Sequence, residues 1–119
     1  MSERVGSCSA ARAELSDDGR YRYTLERVWS PRGALVAWIM LIPSTADAFQ
    51  DDATIRRCMG FARRWSFDGI VVVNLFAYRS TDPRALSALA PKEAVGPEND
   101  RWILAVCGRR DVKWIVAAW

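Results

Sequence analysis

The sequence predicts an α/β domain of three layers (αβα), with helices on both sides of a mostly parallel central sheet that carries an N-terminal antiparallel hairpin strand. Three observations lead there. Strand-like and helix-like patterns follow one another in the order ββαβ(α)αβ, and such alternation is solved economically by a layered sheet with right-handed crossovers. Two segments, Ala34–Ile42 and Ile70–Phe76, are apolar on both faces, as strands covered from above and below must be. Between them, Ala53 to about Trp65 carries its apolar residues at helical spacing.

Taken in order, residues 1–20 are rich in Ser, Ala and charge, lack periodicity and end in the turn signal Asp17-Asp18-Gly19. They are expected to form a mobile lead-in with at most a little edge structure, leaving residues 21–119 as a single domain. Tyr21–Trp29 alternates Tyr21, Tyr23 and Leu25 with Arg20, Arg22, Thr24 and Glu26, a half-buried strand with one wet face. Ser30-Pro31-Arg32-Gly33 is a turn, predicting an antiparallel hairpin into Ala34–Ile42. The helix that follows places Ile55, Cys58, Met59, Ala62 and Trp65 on one stripe, opposite Arg56, Arg57, Arg63 and Arg64. Phe67-Asp68-Gly69 ends it. After the second apolar strand come a short helical turn near Pro83–Ala90 and a helix opened by Gly96-Pro97-Glu98, with Ile103, Val106 and Cys107 as its core stripe. Val112–Trp119 is a last strand. Its apolar end predicts uncovered surface and a chain truncated at the C-terminus.

The totals narrow the chemistry. At 119 residues the chain is one domain, able to bury roughly 65% of its extended surface. Histidine is absent, which excludes Ser-His and Cys-His catalysis and His-based metal sites within these residues. Cys8, Cys58 and Cys107 are odd in number and widely spaced, which predicts reduced thiols in a cytoplasm rather than disulfides or zinc. No apolar run suffices for a bilayer span, so no membrane partner is expected. A net charge of +3 permits contact with phosphate.

Two strands run out into polar loops, Pro43-Ser44-Thr45-Ala46-Asp47 and Ala77-Tyr78-Arg79-Ser80-Thr81-Asp82-Pro83. Ligands of parallel α/β sheets bind where such loops converge. Pro43 stops its strand, and the hydroxyls of Ser44 and Thr45 with the loop amides either hold an anion or satisfy the turn. Asp47, Asp51 and Asp52 either orient a water or hold Mg²⁺, one of the Asp51/Asp52 pair capping the helix. Asp47 and Asp51 are the acid/base candidates. Asn74 ends a strand of Val and Ile; its amide either ties down the loop or faces a base edge or sugar. Tyr78 and Arg79 suit stacking and phosphate contact, or are simply surface residues. Arg56, Arg57 and Arg63 either face a phosphate backbone or form a solvated helix face.

The strings Leu41-Ile42-Pro43-Ser44-Thr45-Ala46-Asp47-Ala48, Asp51-Asp52-Ala53-Thr54-Ile55-Arg56-Arg57-Cys58 and Val73-Asn74-Leu75-Phe76-Ala77-Tyr78-Arg79-Ser80-Thr81-Asp82-Pro83, with Gly96-Pro97-Glu98-Asn99-Asp100 and Val116-Ala117-Ala118-Trp119, resemble a bacterial family known only as domain of unknown function 1643. The resemblance runs from about Tyr21 to the end. It implies membership and no settled activity. Family members usually carry Asn where this chain has Ile42, and usually continue beyond the final Trp. At the level of fold the plan is also similar to the uracil-DNA glycosylase superfamily. That similarity implies Asp47 or Asp51 as the water-orienting carboxylate and Asn74 as a base or sugar contact. Those enzymes commonly use a late histidine, which this chain lacks.

The expected function is therefore nucleotide or nucleic-acid binding by a cytoplasmic domain, with an N-glycosidase-like hydrolase as its catalytic form. The alternatives are a Mg²⁺-dependent enzyme acting on a small phosphorylated substrate, and a non-catalytic interaction module or inactive remnant.

Overall fold

The computed structural model describes residues 3–4, 10–30, 32–80 and 82–119. Its strands are β1 Glu3–Arg4, β2 Ala10–Leu15, β3 Arg22–Val28, β4 Leu35–Met40, β5 Gln50–Asp51, β6 Gly69–Asn74 and β7 Val112–Ala117. Its helices are α1 Ala53–Arg64, α2 Pro83–Ser87, α3 Pro91–Val95 and α4 Asn99–Cys107. One sheet has the order β2-β3-β6-β4-β7, and β1 pairs separately with β5. β6 and β7 both run parallel to β4, whereas β3 is antiparallel to β2 and to β6. The sheet is thus mixed, with β3 alone opposing its companions.

The two faces are separated by strand parity. Val36, Trp38, Ile70 and Val72 pack under Ile55, Cys58, Met59 and Ala62 of α1. Leu35, Ala37, Val71 and Val73 pack on the other side with Val106 and Ile103 of α4. This is the three-layer α/β arrangement expected from the sequence. Cys58 lies inside the first cluster, and burial pushes its thiol up to about 11; the Asp52 charge pushes the same way.

The expected pairing of Tyr21–Trp29 with Ala34–Ile42 does not occur: β6 lies between β3 and β4. Every residue of β6 is buried, and a strand buried along its whole length belongs in the sheet interior with both edges paired. The N-terminal hairpin is instead β2–β3, closed at Asp17-Asp18-Gly19, where Gly19 takes φ 73 and donates its N–H to Ser16 O at 2.9 Å. Ala10–Leu15 therefore forms an edge strand within residues 1–20, where the sequence shows no periodicity. The small side chains of Ala11 and Ala13 leave only a faint alternation with Arg12 and Glu14.

β3 holds the irregularity that matters most for the site. Glu14 pairs with Thr24 but Leu15 pairs with Arg22, so Tyr23 is an extra residue, a β-bulge. Leu25 packs under α1, yet Tyr23 packs beside Tyr21 and Trp102 of α4. Arg22, assigned by strict alternation to the wet face, is 1% exposed.

β7 lies at the sheet edge beside β4, where Trp114 and Ile115 remain half exposed. Among the described residues no helix is long and apolar enough to cross a membrane.

Candidate functional site at the ends of two parallel strands

β4 and β6 lie side by side and point the same way, Met40 opposite Asn74. Their pairing continues beyond the strands, Leu75 donating its N–H to Met40 O at 2.9 Å and Phe76 to Leu41 O at 3.0 Å. The chains then diverge, one toward α1 on one face of the sheet and one toward α4 on the other. Crossovers of one hand that travel in opposite directions leave opposite faces, and a crevice opens between them at this switch in topology. The crevice is a cleft of ≈ 530 Å³ lined by Gly19, Pro43, Ser44, Thr45, Arg79 and Ser80. Pro43, Ser44, Thr45 and Arg79 thus come together from the two loops marked in the sequence.

The first wall is the connection from Leu41 to Asp52. It is held from beneath by two arginines of β3. Arg22 donates from Nη1 to Ala46 O at 2.9 Å and lies 3.5 Å from Ser44 O. Arg27, fully buried, donates from Nε to Asp51 Oδ1 at 2.8 Å and from Nη2 to the carbonyls of Gln50 and Asp47. A guanidinium carries five N–H donors, so two of them satisfy a long irregular loop that has few ladder partners of its own.

Each aspartate of this loop has a structural partner. Asp52 caps α1, Oδ1 accepting from Ile55 N–H at 2.9 Å, and Oδ2 accepts from Ala46 N–H at 3.1 Å. Burial works against its charge. The Ser44 hydroxyl nearby, the Ile55 and Ala46 N–H groups and the Arg22 charge outweigh that burial and hold the carboxyl below the usual range. Thr45 Oγ1 lies 3.4 Å from the same carboxylate, so Asp52 stands directly behind the cleft wall. Asp51 is the partner of Arg27. Asp47 Oδ1 accepts from the N–H groups of Phe49 and Gln50 at 2.8 and 2.9 Å, closing a tight turn.

The second wall is the segment after β6. Ala77 and Tyr78 donate N–H to Val95 O and Ala94 O, Arg79 donates to Arg20 O, and Arg22 N–H donates to Ala77 O. Asn99, fully buried, donates from Nδ2 to Asn74 O at 2.8 Å and to Leu75 O at 3.1 Å. Arg79 therefore projects from a backbone pinned on both sides. Asn74 Oδ1 faces Arg22 Nη2 at 3.4 Å, while its Nδ2 is buried with no partner among the described residues. Tyr78 stands edge-on to Tyr21 at 5.9 Å and does not line the cleft.

Three arginines, Arg22, Arg27 and Arg79, crowd one another at the site. Burial lowers the Arg22 guanidinium to about 10, with the Asp52 charge opposing that shift and the Arg79 and Arg27 charges adding to it. Among the described residues no carboxylate pairs with Arg79, whose Nη1 reaches Gly19 O at 3.4 Å. An anion in the cleft would relieve the mutual repulsion of these cations. The α1 arginines lie apart from the cleft lining: Arg57 is exposed, Arg56 half-buried, and Arg63 stacks 4.4 Å above the Trp29 ring. Among the described residues no group of three acids or cysteines is placed to hold a metal ion.

Four participants escaped the sequence: Arg22, Arg27, Asn99 and Gly19. The bulge disguised Arg22, and Arg27 follows Glu26 as though in a solvated pair. Gly19 carried a turn signal, but its proximity to the cleft depends on the β2–β3 hairpin.

No curated protein and no solved structure matches the chain. A family model described as a protein of unknown function, DUF1643, matches residues 22–119, nearly the whole span of the sheet, both crossovers and both walls of the cleft. The chain belongs to that family.

Proposed function

We propose that this domain binds a phosphate-bearing ligand of the nucleotide class, free or as part of a strand, in the cleft between the β4 and β6 loops. The observation that carries this reading is the cleft's chemistry. The hydroxyl residues Ser44 and Thr45 line it from the first wall and Ser80 lines it beside Arg79 on the second, with the charge of Arg22 buried behind. Guanidinium and hydroxyl donors suit phosphate oxygens, and the location is the usual one for ligands of open parallel sheets. Both an N-glycosidase-like step and Mg²⁺ chemistry need a carboxylate free to act in the cleft. Asp47, Asp51 and Asp52 are instead engaged by backbone amides and Arg27. The binding reading needs none of them.

Calorimetric titration with a nucleoside monophosphate, the matching nucleoside and a single-stranded oligonucleotide tests it. The monophosphate is expected to bind and the nucleoside to bind far more weakly. A strand as ligand would show affinity falling steeply with salt. Arg79→Ala is expected to cost about 1.5–3 kcal/mol of binding, the worth of hydrogen bonds to a charged group. Equal affinity for nucleoside and monophosphate, or an unaffected Arg79→Ala variant, would overturn the assignment, and silence toward every compound would favour an interaction module.

A further inference from the structure

The geometry points to a second compartment of the same site, a nucleobase pocket on the far side of Pro43–Ser44 in which the base stacks on Trp119; this inference rests on the phosphate-binding reading above. A cavity of ≈ 360 Å³ lies there, lined by Leu41, Ile42, Thr54 and Trp119 among others, and it shares Pro43 and Ser44 with the phosphate cleft. The two cavities are therefore the two sides of one loop. Their chemistry differs in the way the two ends of a nucleotide differ. One side presents Arg79 and hydroxyls. The other presents aliphatic walls, one indole and, beside the shared Ser44, the hydroxyl residue Thr54.

Each cavity falls within the size range of small-molecule sites, about 300–1,000 Å³, whose walls are mostly apolar with a few placed polar groups. Trp119 is 66% exposed and Leu41 42% exposed. Of the exposed aromatic side chains, Trp65 and Trp114 already lie against other rings, whereas Trp119 lines a cavity next to the Arg79 cleft. A planar base has a π-face that stacks on an indole irrespective of its identity. A threonine hydroxyl such as that of Thr54 can both donate to and accept from a base edge.

The test compares a nucleoside monophosphate with ribose 5-phosphate, which keeps the sugar and phosphate and lacks the base, on the full chain and on two variants. The monophosphate is expected to bind about 5- to 150-fold tighter than ribose 5-phosphate, the range that stacking of one base provides. In Trp119→Ala that advantage is expected to disappear while ribose 5-phosphate binds as before. Trp119→Phe is expected to keep most of it. Leu41→Asp, at an exposed wall position, is expected to reduce it in the same way and guards against an effect peculiar to the Trp119 substitution. Equal binding of the two compounds to the unaltered chain, or an advantage that survives Trp119→Ala, would overturn the base pocket and leave the phosphate cleft standing. Binding of neither compound would overturn both.

Discussion

Asp52 shows how one side chain can serve two neighbours. Its carboxylate closes the first turn of α1 and also ties down Ala46, and through Thr45 it braces the cleft wall. Replacing it with Ala is expected to cost about 1–2 kcal/mol, the loss of a cap. The pH dependence has a definite sign. The folded-state pKa is lowered from its ordinary value, so the contribution is present above about pH 4 and is lost as pH falls through the folded value. Asp18 and Asp111 are lowered as well, the first by Ser16 and the second by Arg109, so acid destabilisation is shared. Urea midpoints measured from pH 5 down to pH 2 are expected to fall less steeply in Asp52→Asn than in the parent. An identical slope would show that the cap contributes nothing to acid sensitivity. The role of Asp52 was half legible, since two consecutive aspartates before a helical pattern announce a cap. Which one caps, and that the other meets Arg27, depends on a strand more than twenty residues away in sequence.

At the scale of elements, β6 is the keystone of the sheet, and Gly69 is its tightest point. A Cβ there would lie 2.5 Å from Arg27 O and 2.7 Å from Leu35 Cδ2. The first of these is backbone and has no rotamer to change. Gly69→Ala is expected to destabilise by about 1–3 kcal/mol or more through overpacking, seen as a lower urea midpoint with an unchanged m-value. Stability equal to the parent's would mean that β3 and β4 can move apart at no cost. The strands and α1 were legible because their apolar spacing is local, and the stripe Ile55, Cys58, Met59 and Ala62 is buried as that spacing implies. Strand order was not legible. Adjacent strands in the chain, β3 and β4, are separated by one that comes later, and only the demand of β6 for two neighbours reveals it. The Tyr23 bulge was equally hidden, because nothing in the residues around it departs from ordinary alternation.

For the molecule as a whole, the sheet has unequal edges. β2 is polar on alternate positions, with Arg12 and Glu14 exposed, whereas β7 shows Trp114 and Ile115 half exposed. Unpaired, apolar edges template association. Ile115→Lys is expected to slow aggregation on heating while shifting stability by no more than about 0.5 kcal/mol, as surface changes do; light scattering during a thermal ramp reads the first and the unfolding midpoint the second. Unaltered aggregation would exonerate this edge. The location of the cleft was legible because two strands ended in polar loops, and co-direction of their ends was enough to unite Pro43, Ser44, Thr45 and Arg79. Its floor was not, because Arg22 reaches it only through the extra residue in β3.

That extra residue gives β3 a divided allegiance. Upstream of Tyr23 the strand sets Arg22 beneath one loop, and downstream it gives Leu25 to the hydrophobic interior before Arg27 meets the same loop again. Were Tyr23 instead drawn into strict alternation with Leu25, the ribbon would be perfectly regular and Arg22 would turn to the opposite side of the sheet, leaving the carbonyls of Ser44 and Ala46 without their anchor. In this protein a flawless hairpin and a furnished binding cleft are mutually exclusive.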